Sequence, residues 1–266
     1  MEQIKFDTAK SSEIPYLKKL WKDIFKDTDS YIDLYFSYKF KEGNTFVLRV
    51  EDRIVSTLYV EYNDVFIDSK IYKGAYFCGI LTLEEYRNKG YALKLIEYAK
   101  KNIKNVDIIY LIPANESLFE FYKKCGFKVF THLDKEKVLK DERVTLPSYT
   151  KDYDYNTLNK FYENSGNHLY IKRDEKFFWA IYDCYKNIMI FHDGYVIYFI
   201  EEGVLHLVEY SFNEERTKEI LKGILNKENL DEGFLYKKWG DKPFSVCITD
   251  LPVEKVSKKY VNLMLN

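Results

Sequence analysis

The sequence predicts an α+β fold: a mixed, mostly antiparallel sheet flanked by helices. Three observations predict it. Short runs with apolar residues at every second position alternate with longer runs of helical spacing. Polar turns at Glu51–Arg53 and Asp193–Gly194 join neighbouring strands into hairpins. One junction, Tyr76 to Ile96, reads as buried strand, tight turn and helix, and its turn carries Arg87-x-x-Gly90-x-Ala92.

Taken in order, residues 3–6 read as a first strand. From Ser12 to Phe25, Ile14, Leu17, Leu20, Trp21 and Ile24 repeat at helical spacing, with Ser11 or Ser12 as the cap. Residues 26–30 are a polar turn. A second helix carries Ile32, Tyr35, Phe36 and Phe40 on one side and ends at Gly43-Asn44. Thr45–Val50 and Ile54–Tyr62 form a hairpin, and residues 63–71 read as loop or strand edge. The helix after the 87–92 turn runs to about Ile103, and a strand over 107–112 follows. A short helix then ends in Tyr122-Lys-Lys-Cys-Gly126-Phe127.

Composition excludes several classes of function. The 266 residues suffice for one large or two ordinary domains, and 46% are apolar, which argues against disorder. A formal net charge of −1 gives no footprint for nucleic acid. No apolar run approaches the ~20 residues needed to span a bilayer, and the first residues lack an apolar signal core. Cys78, Cys125, Cys184 and Cys247 stand apart, as do the four histidines, so no metal spacing is present. A cytoplasmic protein with reduced thiols and no metal is expected.

The turn at 87–92 is an anion site on physical grounds. Gly90 and Ala92 let the backbone approach a ligand closely. The first turn of the following helix offers N–H groups with no internal partner, and its dipole favours phosphate. Arg87 and Lys89 add positive charge. The plain alternative is a strand–turn–helix connection with a surface arginine.

The order strand, Arg-x-x-Gly-x-Ala, helix, strand, Asn115, and a helix closing Tyr122-x-x-x-Gly126-Phe127 resembles the acetyl-CoA-binding core of the GNAT family, the GCN5-related N-acetyltransferases. The resemblance is close over about 75–130 and extends back to about residue 3. It implies acetyl-CoA as co-substrate, with its pyrophosphate on Arg87, Asn88, Lys89, Gly90, Tyr91 and Ala92. It implies a pantetheine arm along Leu81, Thr82 and Leu83, paired with the backbone of Leu81 and Leu83 where the strand splays from its neighbour. Asn115 matches a cofactor contact and reads equally as a helix cap. Tyr122 matches the tyrosine that protonates the leaving thiolate; it also reads as one more core aromatic beside Phe119, Phe121 and Phe127. The sequence departs from the family at Glu84, where proline is frequent. Glu84 or Glu85 then serves as base or amine anchor, or simply as a solvated turn carboxylate; Glu61 is a further base candidate. The function implied is acetyl transfer to a primary amine of a small molecule or peptide, by direct attack in a ternary complex. The alternatives are another acyl donor or a non-catalytic CoA-binding protein.

After Pro147-Ser148 the order repeats as helix (152–164), helix (173–185), hairpin (188–200), strand (204–211), helix from Asn213, and a strand at 244–249. The slot of the Arg87 turn here holds Ser211-Phe-Asn-Glu-Glu215, with no glycine and two carboxylates. Two similar domains in tandem are expected: residues 1–147 binding acetyl-CoA, and 148–266 degenerate and silent. The silent half is expected to wall the acceptor pocket, together with loops 26–40 and 63–74. The first half also loosely resembles the enhanced-intracellular-survival acetyltransferases, which makes the carboxylate of Asn266 a further base candidate.

Overall fold

The computed structural model of the protein describes residues 3–152 and 154–262. The chain opens with strand β1 (Ile4–Thr8), helices α1 (Ile14–Phe25) and α2 (Asp29–Tyr38), and strands β2 (Thr45–Val50), β3 (Arg53–Ile67) and β4 (Lys70–Thr82). Helix α3 (Tyr91–Asn102), β5 (Ile108–Leu111), α4 (Ser117–Lys124) and β6 (Lys128–Leu139) follow. Next come α5 (Tyr155–Glu163), β7 (Leu169–Ile171), α6 (Glu175–Tyr185), β8 (Ile188–Phe191), β9 (Gly194–Glu201) and β10 (Val204–Tyr210). Helix α7 (Glu214–Glu228), β11 (Glu232–Thr249) and β12 (Lys259–Tyr260) close it.

Local chemistry sets the helix ends. Pro15 sits in the first turn of α1, where its missing N–H costs nothing, and left-handed Lys26 ends the helix. The Thr28, Asp174 and Asn213 side chains each accept a first-turn N–H, of α2, α6 and α7 respectively. Helix α1 buries Leu17, Leu20 and Trp21, the apolar stripe that the sequence shows.

The described strands form one sheet, in the order β1-β2-β3-β4-β5-β11-β10-β9-β8. One pairing pattern occurs twice. β2–β3 and β3–β4 are antiparallel, and β4–β5 is parallel with α3 in the crossover. β8–β9 and β9–β10 are antiparallel, and β10–β11 is parallel with α7 in the crossover. The two patterns meet where β5 pairs antiparallel with β11. β6 also lies along β11, from Lys128 opposite Cys247 to Leu139 opposite Glu232.

Residues 63–71 take the strand alternative rather than the loop: β3 and β4 pair through Ile67 and Lys70, turning at Asp68 and Ser69, both left-handed (φ 41° and 73°). Two further strands go beyond the sequence reading. The far edge of β3 then takes β7 as an antiparallel partner. β11 is an 18-residue strand rather than 244–249 alone, because its charged first half pairs with β6.

A fully buried ion pair holds the second half to the closing segment. Arg173 meets Glu209 through two bonds, 2.7 and 2.8 Å, with both side chains at 0% exposure. The Tyr195 and Tyr260 hydroxyls donate to the same carboxylate, and Arg173 also donates to the Asn262 carbonyl. Burial alone would raise the Glu209 carboxyl; Arg173 and the hydroxyls outweigh it and hold the group below its usual range. A depressed carboxylate stabilises the fold above its unfolded value of about 4.5 and loses that contribution as pH falls through the folded value. The melting temperature should therefore drop below about pH 4.5, and Glu209→Gln should remove part of that slope. A wild-type melting temperature that stays flat down to about pH 3 contradicts this account.

Candidate active site

The site forms where β4 leaves β5. The two strands pair only from Gly74 to Tyr76 against Ile108 to Tyr110. Beyond Tyr76, β4 remains paired with β3 on one edge and is open on the other.

A bulge accompanies the opening. Thr57 faces Leu81 while Tyr59 faces Cys78, so Gly79 and Ile80 together oppose one residue of β3. Gly79 is left-handed (φ +54°), and a Cβ there would lie 2.5 Å from the Tyr59 ring and 2.9 Å from Trp21. Gly79→Ala should therefore destabilise the fold by about 2–4 kcal/mol, through backbone strain and overpacking. Thermal unfolding should show a fall of about 5–10 °C; an unchanged midpoint would mean that the bulge is not tight.

The backbone register shifts one expectation. The N–H of Leu83 donates to the Val55 carbonyl, and the Leu81 carbonyl accepts from the Ser56 hydroxyl at 2.6 Å. Both residues thus turn their polar groups toward β3. With the period of two in a strand, Ile80 and Thr82 present theirs to the open edge. The Thr82 carbonyl there accepts Nε of Arg87 at 3.2 Å. The sequence reading was one residue out of step, because the bulge at Gly79 is invisible in composition.

The anion turn lies at the end of this edge. Gly90 is the left-handed N-cap of α3 (φ +74°), with nothing within 4 Å of a would-be Cβ. No side chain caps α3 and its first turn holds no acid. Arg87, Asn88, Lys89 and Gly90 are exposed, and Ala92 is half-buried. Tyr91 is buried, with the Lys94 ammonium 5.7 Å from its ring. The equivalent end of α7 is capped by Asn213 and carries Glu214 and Glu215, a terminus already neutralised.

A cavity of about 850 Å³ opens beside the splayed strands. Phe77 to Ile80 of β4 and Ile112 to Ala114 after β5 form its floor, and Tyr122 of α4 reaches into it. Tyr122 is 7% exposed, and burial pushes its phenol well above the usual range. Among the described residues its hydroxyl has no hydrogen-bond partner. Trp21, Asp27 and Tyr31 close one side; Cys184, Tyr185, Phe199, Phe244 and Asn262, all from the second half, close another.

The other expected residues lie apart from this cavity. Glu84 is exposed, in a 3-10 turn whose carbonyl accepts the Arg87 N–H, and it does not line the cavity. Glu85 pairs with Arg53 at 3.1 Å. Glu61 is 6% exposed, bound to Lys39 at 2.7 Å, with its other oxygen 3.7 Å from the Cys78 sulfur. It lines a second cavity of about 690 Å³ together with Lys39, Lys73 and Lys172. Asn115 is exposed and accepts the Ser117 hydroxyl at 2.6 Å, so its side chain caps no backbone N–H. The 63–74 hairpin lines the second cavity and not the first. Asn266 lies outside the described residues, although Asn262 reaches the cavity wall. Asp27 and Tyr31, the latter in the first turn of α2, fall in the 26–40 stretch that the sequence assigns to the acceptor, but only the indole of Trp21 and the walls from the second half reveal their part.

Residues 5–130 match the model of a family described as the acetyltransferase (GNAT) domain. No curated protein matches the sequence. Solved structures share the fold. A GCN5-related N-acetyltransferase from Anabaena variabilis is 14% identical, over 92% of this chain and 72% of that one, with a TM-score of 0.73. A protein of unknown function from Enterococcus faecalis, titled a probable N-acyltransferase, is 14% identical over 92% and 72%, with a TM-score of 0.67. Eis1 from Mycobacterium abscessus is 12% identical over 97% and 69%, with a TM-score of 0.64. At such identities the structures speak for the fold; the family model speaks for the class. Residues 5–130 form an N-acetyltransferase domain of the GNAT family. Among the described residues no helix is long and apolar enough to cross a membrane, and no His, Cys, Asp and Glu group is placed to hold a metal.

Proposed function

We propose that the chain transfers an acetyl group from acetyl-CoA to a primary amine of a small molecule or peptide, by direct attack in a ternary complex. The open edge of β4 carries this reading. It lies between the uncapped α3 terminus, suited to a pyrophosphate, and the cavity holding Tyr122.

The donor lies with its phosphates on the 87–92 turn and its pantetheine amides against Ile80 and Thr82, in the strand of Leu81 and Leu83. Asn88, Lys89, Tyr91 and Asn115 border that path. Main-chain groups freed by the bulge at Gly79 polarise the thioester carbonyl. The neutral amine attacks that carbon, the new C–N bond forms and the C–S bond breaks. The Tyr122 hydroxyl gives its proton to the leaving sulfur, the proton shed by the amine passes to solvent, and the phenolate takes one back from solvent. Orientation within the closed cavity supplies most of the rate. The exposed Glu84, outside the cavity, is given no part in proton transfer.

The organisation we propose is a catalytic domain, 1–147, and a degenerate domain, 148–266, that shares the pairing pattern. Its α7 terminus, already capped and acidic, binds no CoA, and its aromatic residues wall the acceptor cavity. Calorimetry with acetyl-CoA on the folded wild type tests the reading, and absence of binding overturns it.

A further inference from the structure

We propose that the acceptor is an amine bearing a single positive charge on an apolar, preferably aromatic, body, and that Asp27 and Tyr31 hold it. The inference rests on the cavity beside β4 being the acetyl-transfer site, and it adds the acceptor class.

Among the described residues lining that cavity, Asp27 is the one charged side chain. Among the same described residues the wall holds no lysine, arginine, histidine or glutamate. An anionic acceptor would find no counter-charge there, and a polycation would leave charges unpaired in a poorly hydrated space. Trp21, Phe25, Phe77, Tyr185, Phe199 and Phe244 give the wall an aromatic character, which suits an aromatic body and an ammonium against ring faces.

Asp27 is placed with care. It follows left-handed Lys26, which ends α1 and turns the chain back beneath the helix. One of its carboxylate oxygens accepts the Trp21 indole N–H at 2.7 Å. Its other oxygen has no partner among the described residues. The far edge of the same indole packs on Gly79, where a Cβ would lie 2.9 Å from Trp21 Cζ3. The carboxylate therefore sits across one indole ring from the bulge, where it draws in the ammonium before the amine sheds its proton and moves on to the thioester. Trp21 itself is 2% exposed and cannot swing away freely.

Tyr31 supplies the second observation. Its hydroxyl oxygen is buried in the same wall and has no hydrogen-bond partner. A buried hydroxyl left alone is costly, and a ligand amine or its ether or hydroxyl neighbour would satisfy it.

The test uses the full chain. Calorimetry first records acetyl-CoA binding. Thiol release is then followed with 2-phenylethylamine, spermidine and glucosamine, on the wild type, Asp27→Asn and Tyr31→Phe. Asparagine keeps the acceptor for the Trp21 N–H, so Asp27→Asn alters charge and little else. The expected result is that 2-phenylethylamine has the highest kcat/KM. Asp27→Asn should raise its KM by about tenfold or more, and Tyr31→Phe by about threefold to tenfold. The acetyl-CoA affinity of both variants should stay within about twofold of the wild type, since neither residue borders the donor's phosphates. A higher kcat/KM for spermidine or glucosamine overturns the inference, as does an unchanged KM in Asp27→Asn. Acetyl-CoA binding with no turnover of any of the three amines also overturns it while sparing the donor site. No acetyl-CoA binding at all removes the underlying reading instead.

Discussion

Replacing Gly90 by Asp is expected to weaken acetyl-CoA binding by about 100-fold or more. Two costs combine. A carboxylate at the uncapped N-terminus of α3 opposes the phosphates and takes up the dipole that would favour them, a change of about 2 kcal/mol in a partly enclosed geometry. A side chain at φ +74° also favours relaxation of the unliganded turn out of the left-handed region, and restoring that geometry for the phosphates costs about 1 kcal/mol of binding. Together these are about 3 kcal/mol, or somewhat more than two factors of ten. Gly90→Ala separates them. Its Cβ meets nothing within 4 Å, so only the conformational cost of about 1 kcal/mol remains. Calorimetry on the wild type and both variants gives the ranking directly. Equal affinities for wild type and Gly90→Asp would move the donor's phosphates away from this turn.

Tyr122→Phe is expected to lower kcat by about 10²–10³-fold while acetyl-CoA affinity stays within about twofold. The hydroxyl makes no hydrogen bond to a described residue, so its removal should change folding stability by no more than about 0.5 kcal/mol. A stable, donor-binding and slow enzyme is the signature. An unchanged kcat would reduce Tyr122 to a core aromatic packed on Phe127 at a centroid distance of 5.8 Å. Burial keeps the phenol protonated well past its usual range. Loss of this proton therefore does not set an alkaline fall in rate near neutral pH; such a limb would have another origin.

Much of this was legible in the sequence, for reasons of local chemistry. The helical repeat of Leu17, Leu20 and Trp21, the hairpin turn at Asp193-Gly194 and the Asn213 cap each act over a few residues. The turn before α3 was legible for the same reason, since left-handed Gly90 needs only its neighbours. What escaped depends on distant partners. The strand reading began only at residue 244, yet Lys237-Lys-Trp-Gly-Asp-Lys-Pro243 lies within the same strand because β6 runs beside it. Leu169–Ile171 is too short to signal a strand and is made one by the edge of β3. The frame of Leu81 against Ile80 was lost at the bulge, which needs Tyr59 and Trp21 to hold Gly79. Asp27 read only as part of a polar turn in an acceptor loop, and its bond to the Trp21 indole exists only once the chain is folded.

The junction of β5 and β11 bears on how the protein is made. β5 stands beside the catalytic opening, and the partner on its other edge, Val246–Thr249, is encoded more than a hundred residues later. β6 waits for the same strand along its whole length. During synthesis the first half therefore leaves the ribosome with two strand edges bare, and they remain so until β11 has been translated. A chain cut short before β11 has the 87–92 turn but lacks a finished sheet behind it.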